Sequence, residues 1–291
     1  PNVGKSMLIN SISNARLKVG NFSGVTVSKE QVFFDYKNFH IEIVDLPGAY
    51  SLNDYTIEEK VTKDFLNNEK YDIILNVLDS TNLQRNLLLT AELLTLDKKM
   101  IIALNMSDEA EKESILIDEI QLSKILGKPC IKTSAAKKNG ITKLLDEILL
   151  KFQSQKVPSK FFFSNVIEEE IENISRVLEE NKYETTETYR QISLGLLKEN
   201  KNIYKQFHDE PIWIKIQPIL TEAFEHLFIH FNSKNIKDIF NEERFAFAKG
   251  AVIETVKQKN TNTTTLTERF DAILIHKFFG LPIFLFFMWG L

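Results

Sequence analysis

Two continuous apolar runs in the first half of the chain constrain the fold more than any other feature. Residues 71–78 (YDIILNVL) and 100–105 (MIIALN) have the composition of strands that are covered on both faces of a sheet. Between them, residues 83–96 carry leucines at helical spacing. Strands that alternate with helices in this way predict an α/β fold, with a mostly parallel sheet and helices on both faces.

A change of composition near residue 157 divides the chain into three predicted segments. Residues 1–156 continue the alternation of strands and helices, whereas residues 157–256 are acidic, rich in lysine and helical in period, which predicts an all-helical domain. Pro211 and Pro218 are expected to interrupt its helices. Residues 257–291 begin as a polar connector and end in an uncharged run. The remaining predicted elements are strands at 32–36, 40–45 and 129–133 and helices at 117–126, 141–152, 167–178, 221–231 and 240–256.

Composition excludes several classes of protein. The chain is 43% hydrophobic and 26% charged, which argues against disorder. Its net charge of -4 argues against nucleic-acid binding driven by bulk charge. The single cysteine, Cys130, rules out an internal disulfide and a multi-cysteine metal site, and its apolar neighbours predict a core position.

The first residues match the end of a phosphate-binding loop, whose full pattern is G-x-x-x-x-G-K-[ST]. The first glycine of the pattern would lie before Pro1. Backbone N–H groups of such a loop and of the helix behind it cradle phosphates, while the lysine bridges the β- and γ-phosphates and the hydroxyl ligates Mg²⁺. The predicted phosphate-binding residues are Asn2, Val3, Gly4, Lys5, Ser6 and Met7, with Ser6 as a Mg²⁺ ligand.

Two further segments suit the metal and the γ-phosphate. Asp45 ends an apolar strand, where its carboxylate can reach the Mg²⁺ shell, and Gly48 can offer its N–H to the γ-phosphate. Thr26 lies in a polar loop and is predicted to close over Mg²⁺ and the γ-phosphate. Lys5, Thr26 and Gly48 are therefore the candidate catalytic residues. The predicted ligand-binding residues of these segments are Gly24, Val25, Thr26, Asp45, Leu46, Pro47 and Gly48.

Two segments that follow later strands suit a guanine ring. Asp108 ends the pattern N-x-x-D, and its carboxylate can accept from N1–H and the 2-amino group of guanine, which adenine does not offer. A backbone N–H after Thr133 can meet the guanine O6. Because all four motifs follow predicted strands, where α/β sheets bind ligands, the chain is predicted to bind GTP or GDP with Mg²⁺ and to hydrolyse GTP. The predicted base-binding residues are Asn105, Met106, Asp108, Ser134, Ala135 and Ala136.

The position after Gly48 departs from a common pattern. Many GTPases carry a glutamine there that orients the attacking water, and this chain carries Ala49. Intrinsic hydrolysis is therefore expected to be slow, unless another residue, a cation or a partner aligns the water.

The motifs resemble a known family. The stretches PNVGKSMLINSISNARLKVGNFSGVTVSKE, DLPGAYSL and NMSDEAEK resemble the G domain of ferrous iron transport protein B (FeoB), a P-loop GTPase domain of Ras-like fold. Residues 243–256 and 266–290 are similar to the segment that leads into the first membrane helix of that family. The resemblance covers almost the whole chain and is weakest in residues 160–235. Phe22 and Ser23 replace Trp and Pro of the family's G-N-W-P-G-V-T.

The resemblance implies the following properties. The helical domain would act as a GDP-dissociation-inhibitor-like regulator. A membrane part beyond this chain would move Fe²⁺ across the bacterial inner membrane, with this portion on the cytoplasmic side. Asn2 would help to hold a K⁺ ion that stimulates hydrolysis. The resemblance leaves room for a homo-oligomer and for small accessory Feo proteins as partners.

The end of the chain predicts contact with a membrane. Residues 278–291 carry no charge, and although a span needs about 20 apolar residues, the run reaches the last residue without a break. A buried terminal helix is the alternative. Residues 266–276 are expected to lie along the membrane surface. Arg269 and Lys277 flank the run on its N-terminal side, which favours a cytoplasmic GTPase.

Other interpretations remain open at this level. One is a soluble ribosome- or tRNA-associated GTPase, although residues 160–256 lack the basic, aromatic character of an RNA-binding domain. Another is a nucleotide-gated switch with negligible turnover, because Ala49 replaces the catalytic glutamine. His226 and His230 have the spacing of a divalent-metal pair, but a polar helix edge is the favoured interpretation.

Overall fold

The structure is a computed structural model that describes residues 3–13, 16–22, 27–49, 51, 56–155, 161–185 and 187–258. In chain order, the helices and strands are α1 Lys5–Ile12, β1 Arg16–Asn21, β2 Ser28–Tyr36, β3 Phe39–Asp45, α2 Ile57–Asn68, β4 Ile74–Asp79, α3 Leu83–Leu94, β5 Met100–Asn105, α4 Ser107–Lys112, β6 Ile115–Ile117, α5 Glu119–Leu126, β7 Cys130–Lys132, α6 Ile141–Gln153, α7 Asn165–Glu180, α8 Tyr189–Leu197, α9 Lys201–His208, α10 Trp213–His230, α11 Ile236–Thr255 and β8 Val256–Gln258.

A parallel sheet forms the centre of the first half of the molecule. Its strand order is β4-β5-β7, with Ile74 opposite Met100 and Ile102 opposite Cys130. Every residue of β5 is buried, because helices cover both faces of the sheet. The predicted α/β fold is therefore confirmed, and Cys130 lies in the core as predicted.

The strands near the N-terminus form an antiparallel meander of order β1-β2-β3. The hairpin of β2 and β3 corresponds to the two strands predicted at 32–36 and 40–45. Strand β1 was not predicted, although the first four residues of its sequence RLKVGN alternate polar and apolar, because the alternation is short and ends at Gly20. Backbone pairing with β2 stabilises it instead, and this pairing includes Gly20 opposite Lys29.

Helices α7 to α10 pack around a second hydrophobic core. The apolar side of α7, which includes Ile167, Ile171 and Ile174, faces it. Pro218 lies inside α10 and does not end it, contrary to the sequence prediction. A proline removes one helical hydrogen bond, but burial of Ile216, Leu220, Ala223 and Leu227 holds the helix on both sides of it.

Helix α11 connects the two halves of the molecule. Ala248 and Ala251 pack into the core that surrounds the parallel sheet, whereas Ile239 and Phe240 pack into the helical core. Strand β8 continues from this helix and pairs with β6. The predicted connector that begins at residue 257 therefore starts with two residues of a strand. The helix predicted at 117–126 likewise begins only at residue 119, because Ile117 ends β6.

Within the described residues, no helix is both long enough and apolar enough to span a bilayer. The predicted interfacial segment 266–276 and the uncharged run 278–291 lie outside the described residues.

Candidate nucleotide-binding site

A cleft of about 970 Å³ opens at the end of the parallel sheet, between the start of α1 and the residues that follow β3. Gly4 caps α1 with a left-handed backbone (φ 72°), which is the conformation that favours glycine. A Cβ atom at Gly4 would lie 2.6 Å from Asn105 Nδ2. Glycine is therefore required here both for its backbone and for its lack of a side chain. The cleft includes the predicted residues Val3, Gly4, Lys5, Ser6, Met7, Asp45, Leu46, Pro47 and Gly48.

The buried side chain of Asn105 connects the two loops that border the site. Its Nδ2 donates to the Val3 carbonyl at 2.9 Å, and its Oδ1 accepts from the Ala135 N–H at 3.1 Å and from the Thr133 hydroxyl at 3.4 Å. Asn105 ends β5, and Thr133 directly follows the neighbouring β7. Parallel pairing of these strands thus brings the predicted phosphate loop and the predicted base loop to one edge of the sheet.

Lys5 and Asp45 face each other across the cleft. Lys5 Nζ lies 2.8 Å from Asp45 Oδ1 and also donates to the Leu46 carbonyl. This contact pairs the largely buried Asp45 carboxylate with a cation. A carboxylate placed here can also bind a hard cation.

Asp108 lies in the first turn of α4 with most of its side chain buried. A hydrogen bond from the Ser134 hydroxyl, helped by Lys137, lowers the pKa of the Asp108 carboxyl below its usual 3.8. Lys137 Nζ lies 3.3 Å from Asp108 Oδ2. The carboxylate is therefore ionised at neutral pH, which is the form that accepts two hydrogen bonds from a guanine edge.

The segment behind Gly48 packs through its own contacts. Ala49 is buried, so the position of the common catalytic glutamine points into the protein. Thr62 of α2 donates to the Pro47 carbonyl at 3.2 Å, and the buried Glu59 accepts from the Ser51 N–H and hydroxyl. Contacts with α2 therefore hold this part of the chain at Pro47 and at Ser51.

The predicted site residues have three different placements. The phosphate-side set and Asp45 to Gly48 meet in the cleft, whereas Asn105, Asp108, Ser134 and Ala135 meet on the base side. Met106 contributes its backbone: it caps α4 with φ 58°, and Ala136 is exposed beside Ala135. Asn2, Gly24, Val25 and Thr26 lie outside the described residues.

Sequence reasoning missed three residues around the site. Thr133 and Lys137 contact Asn105 and Asp108, and Arg85 of α3 lines the cleft. Each is a common type of residue, and none occupies a fixed position of a sequence motif, so the sequence alone does not mark them. Only the proximity of Thr133 and Lys137 to the predicted base loop hinted at a role.

One of the two histidines at metal-pair spacing contacts a neighbouring helix. His226 Nδ1 lies 2.5 Å from Glu170 Oε1, an ion pair between α10 and α7. No cluster of three or more His, Cys, Asp or Glu side chains suited to a metal occurs in the part of the chain that the structure describes.

A parallel sheet with a phosphate loop, an acidic residue after β3 and an N-x-x-D segment after β5 defines the class of P-loop GTPases. Models of two families match the chain: ferrous iron transport protein B over residues 1–148, and the FeoB cytosolic helical domain over residues 163–257. The chain belongs to the FeoB family. This membership supports the transporter interpretation over a ribosome- or tRNA-associated GTPase.

Individual relatives agree with this assignment. The Fe(2+) transporter FeoB of Campylobacter jejuni is 40% identical over 289 residues, which is 99% of this chain and 36% of that protein. An S. thermophilus NFeoB mutant bound to GDP superposes with a TM-score of 0.77 at 30% identity, covering 88% of this chain and 96% of that one. The cytosolic domain of T. maritima FeoB in its GMPPNP form gives 0.71 at 27% identity, with the same coverage. The chain thus spans about a third of the Campylobacter transporter.

Proposed function

We propose that this chain binds GTP with Mg²⁺ and hydrolyses it to GDP and phosphate, as the cytoplasmic part of a bacterial ferrous iron transporter. The Campylobacter jejuni relative is named as an Fe²⁺ transporter, and the S. thermophilus NFeoB mutant is bound to GDP. The sites, the domain division at residues 156 and 256, and the coupling to iron transport are all part of this proposal.

The hydrogen bonds of Asn105 are the main observation that supports the proposal. They join the Val3 carbonyl to the Ala135 N–H, and Asp108 lies on the same side of the sheet, three residues after Asn105. A nucleotide has a triphosphate at one end and a base at the other, so a protein that binds it needs two loops held at a fixed separation. A single buried amide that bonds to both loops provides that geometry.

The residues of the cleft fit a magnesium triphosphate. Ser6 and Asp45 offer oxygen ligands, and the position of Asp45 in the cleft, facing Lys5, supports the assignment of this carboxylate to the metal shell. When bound, Mg²⁺ neutralises charge on the β- and γ-phosphates. Lys5 would exchange its contact with Asp45 for the phosphates. The backbone N–H groups after Gly4 would bind phosphate oxygens at the start of α1.

The reaction needs no covalent step on the protein. Water attacks the γ-phosphorus, the bond to the bridging oxygen breaks, GDP leaves with that oxygen, and the proton of the water passes to the released phosphate. Gly48 and Thr26 are assigned to the γ-phosphate. Because Ala49 is buried and apolar, we infer a slow intrinsic rate, which K⁺ held with the help of Asn2 would raise.

Nucleotide preference tests the proposal first. The chain in Mg²⁺ is titrated with fluorescent GDP and then with unlabelled GTP and ATP as competitors. We expect GTP to compete at least about 100-fold better than ATP, because adenine offers no donor pair to Asp108. Equal competition by ATP, or no binding of either nucleotide, would contradict the proposal. Lys5→Ala should abolish triphosphate binding, whereas Lys112→Ala on exposed α4 surface should not.

The proposed role of K⁺ is tested separately. Single-turnover hydrolysis of GTP is measured in KCl and in NaCl at equal ionic strength. We expect faster turnover in KCl and loss of this difference in Asn2→Ala. Equal rates in both salts would remove K⁺ from the proposal and leave GTP binding intact.

A further inference from the structure

Three exposed apolar side chains lie beside the last strand of the described chain. Leu116 is 43% exposed, Ile120 is 67% exposed and Ile253 is 68% exposed. Leu116 belongs to β6, Ile120 to the first turn of α5 and Ile253 to the last turn of α11. Isolated exposed apolar residues are common, so their placement relative to one another decides whether they form a surface.

Backbone pairing holds the three residues at one corner of the molecule. The Asp118 N–H donates to the Thr255 carbonyl at 2.8 Å, and β6 pairs with β8 immediately beside that bond. Leu116, Ile120 and Ile253 are each within two residues of this hydrogen bond along the chain. Helices α5 and α11 also pack against each other. The three residues therefore lie at one corner of the molecule, and their side chains are exposed there.

Each of these apolar residues has an exposed lysine beside it. Lys124 follows Ile120 by four residues, and Lys249 precedes Ile253 by four, so each pair shares a helix face. Lys257 is directly opposite Leu116 in the β6–β8 pair. None of the three lysines forms an ion pair with a residue that the structure describes. We call these six residues the β6–β8 face: Leu116, Ile120, Lys124, Lys249, Ile253 and Lys257.

Another helix provides a contrast within the same chain. Ile214 and Ile229 of α10 are even more exposed, at 77% and 81%. The exposed charged residues between them on that helix include Lys215, Glu222 and Glu225. The exposed acidic neighbours on the β6–β8 face are Asp118, between Leu116 and Ile120, and Glu254, which points about 100° away from Ile253 around the helix. A lysine lies four residues from each isoleucine of the β6–β8 face, whereas Glu225 lies four residues before Ile229 of α10.

The direction of the chain limits what can cover the β6–β8 face. Leu266 lies eight residues after Gln258, and a chain of that length spans at most ~29 Å. The sequence then enters a segment of apolar and basic residues and a final run of fourteen uncharged ones. The uncharged run begins at Phe278, 20 residues after Gln258, so the β6–β8 face is tethered to any membrane that the run enters.

We propose that the β6–β8 face rests on the lipid surface and so orients the GTPase part of the molecule against the membrane. Lysines bind anionic headgroups with their ammonium groups while their stems lie along apolar surface, and the isoleucines and leucine enter the headgroup boundary. This inference rests on the proposed membrane location. The other occupant to be distinguished is the apolar side of residues 266–276 of the same chain.

Site-directed fluorescence tests the contact in the whole chain. Cys130 is 4% exposed, and burial raises the pKa of its thiol to about 12, so it should not react with a thiol label. Ile120→Cys and Ile253→Cys are each labelled with an environment-sensitive dye. The protein is bound to phosphatidylcholine vesicles with about 30% phosphatidylglycerol and with nitroxide-labelled lipid as quencher. Ile214→Cys and Ile229→Cys are the matched controls.

The expected result is quenching of about twofold or more at residues 120 and 253 and little at residues 214 and 229. Lys124→Glu combined with Lys249→Glu should remove most of the quenching, with GDP binding unchanged as the check on folding. Equal quenching on α10 would overturn the proposal. So would a label at residue 120 or 253 that is shielded from water but not quenched by lipid, since residues 266–276 would then cover it. If vesicle-bound protein hydrolyses GTP while neither label is quenched, only this inference fails.

Discussion

At the scale of single residues, Asn105 shows how one side chain organises a site. Its three hydrogen bonds reach residues that are 102, 28 and 30 positions away in the chain. Because the amide is buried, loss of any one bond would leave an unsatisfied polar group in the core. The motif N-x-x-D identified Asn105 from the sequence. Its contact with the phosphate loop was not predictable, because no local pattern encodes a partner 102 residues away.

Asp108→Asn should change which base the site accepts. The carboxylate accepts two donors from guanine, whereas an amide presents one donor and one acceptor, which matches xanthine. We expect GDP affinity to fall at least about 100-fold and xanthosine diphosphate to become the better ligand. Competition against fluorescent GDP measures both. Glu109→Gln, an exposed neighbour on α4, is the control and should leave the preference unchanged.

Gly4→Ala should disrupt the phosphate loop. The added Cβ would lie 2.6 Å from Asn105 Nδ2, and alanine at φ 72° costs a further ~1–2 kcal/mol. We expect nucleotide affinity to fall at least tenfold, roughly the equivalent of 1.4 kcal/mol, with a lower midpoint of thermal unfolding. Isothermal titration with GDP and a thermal melt test this. Wild-type affinity in the variant would show that the loop tolerates a side chain here.

At the scale of elements, two helical glycines should respond in opposite ways to alanine. A Cβ at Gly250 of α11 meets no atom within 4 Å, so Gly250→Ala should raise stability by ~0.5–1 kcal/mol. A Cβ at Gly195 of α8 would lie 2.1 Å from Ile203 Cδ1, so Gly195→Ala should lower stability by ~1–3 kcal/mol. Urea denaturation followed by circular dichroism compares them. Changes of the same sign would show that packing around α8 gives way easily.

The stability contributed by the contact between α7 and α10 should depend on pH. The hydrogen bond from His226 to Glu170 raises the pKa of the imidazole above its usual 6.5. The protonated pair therefore contributes its full stability below about pH 6.5 and loses it as the pH rises through the raised pKa. NMR titration should give an elevated pKa for His226. The decline of stability over that pH range should be weaker in His226→Gln. An unshifted pKa would contradict the ion pair.

The elements also show where sequence patterns suffice. Buried strands β4 and β5 were predicted because long-range packing reinforces a local apolar run. Strand β1 and the interior position of Pro218 were not, since pairing with β2 and burial of α10 override weak local preference. The candidate site residues at the ends of β3 and β5 were identified for the opposite reason: nucleotide binding fixes residue type and spacing.

At the scale of the whole molecule, α11 makes the two predicted domains interdependent. It contributes to both hydrophobic cores and continues into β8, which pairs with β6. Phe161 also packs against both cores. The backbone N–H of Ser164 donates to Glu243 of α11 at 2.9 Å. A change in the GTPase half therefore has a continuous path of packed side chains to the helical half.

Arg244 provides the sharpest test of that interdependence. Its guanidinium pairs with Glu92 of α3, and both side chains are largely buried. Arg244→Met keeps the apolar stem but removes the guanidinium that pairs with the buried Glu92, which should cost ~3 kcal/mol. The exposed Arg176→Ala should change stability by less than ~0.5 kcal/mol. Adding Glu92→Leu to Arg244→Met should recover most of the loss, because the buried charge of Glu92 is then removed as well.

In urea, we expect the wild type to unfold in one transition and Arg244→Met to unfold in two, with the helical half unfolding separately from the nucleotide-binding half. A single, unshifted transition in Arg244→Met would mean that packing of Ala248 and Ala251 alone holds the two halves together.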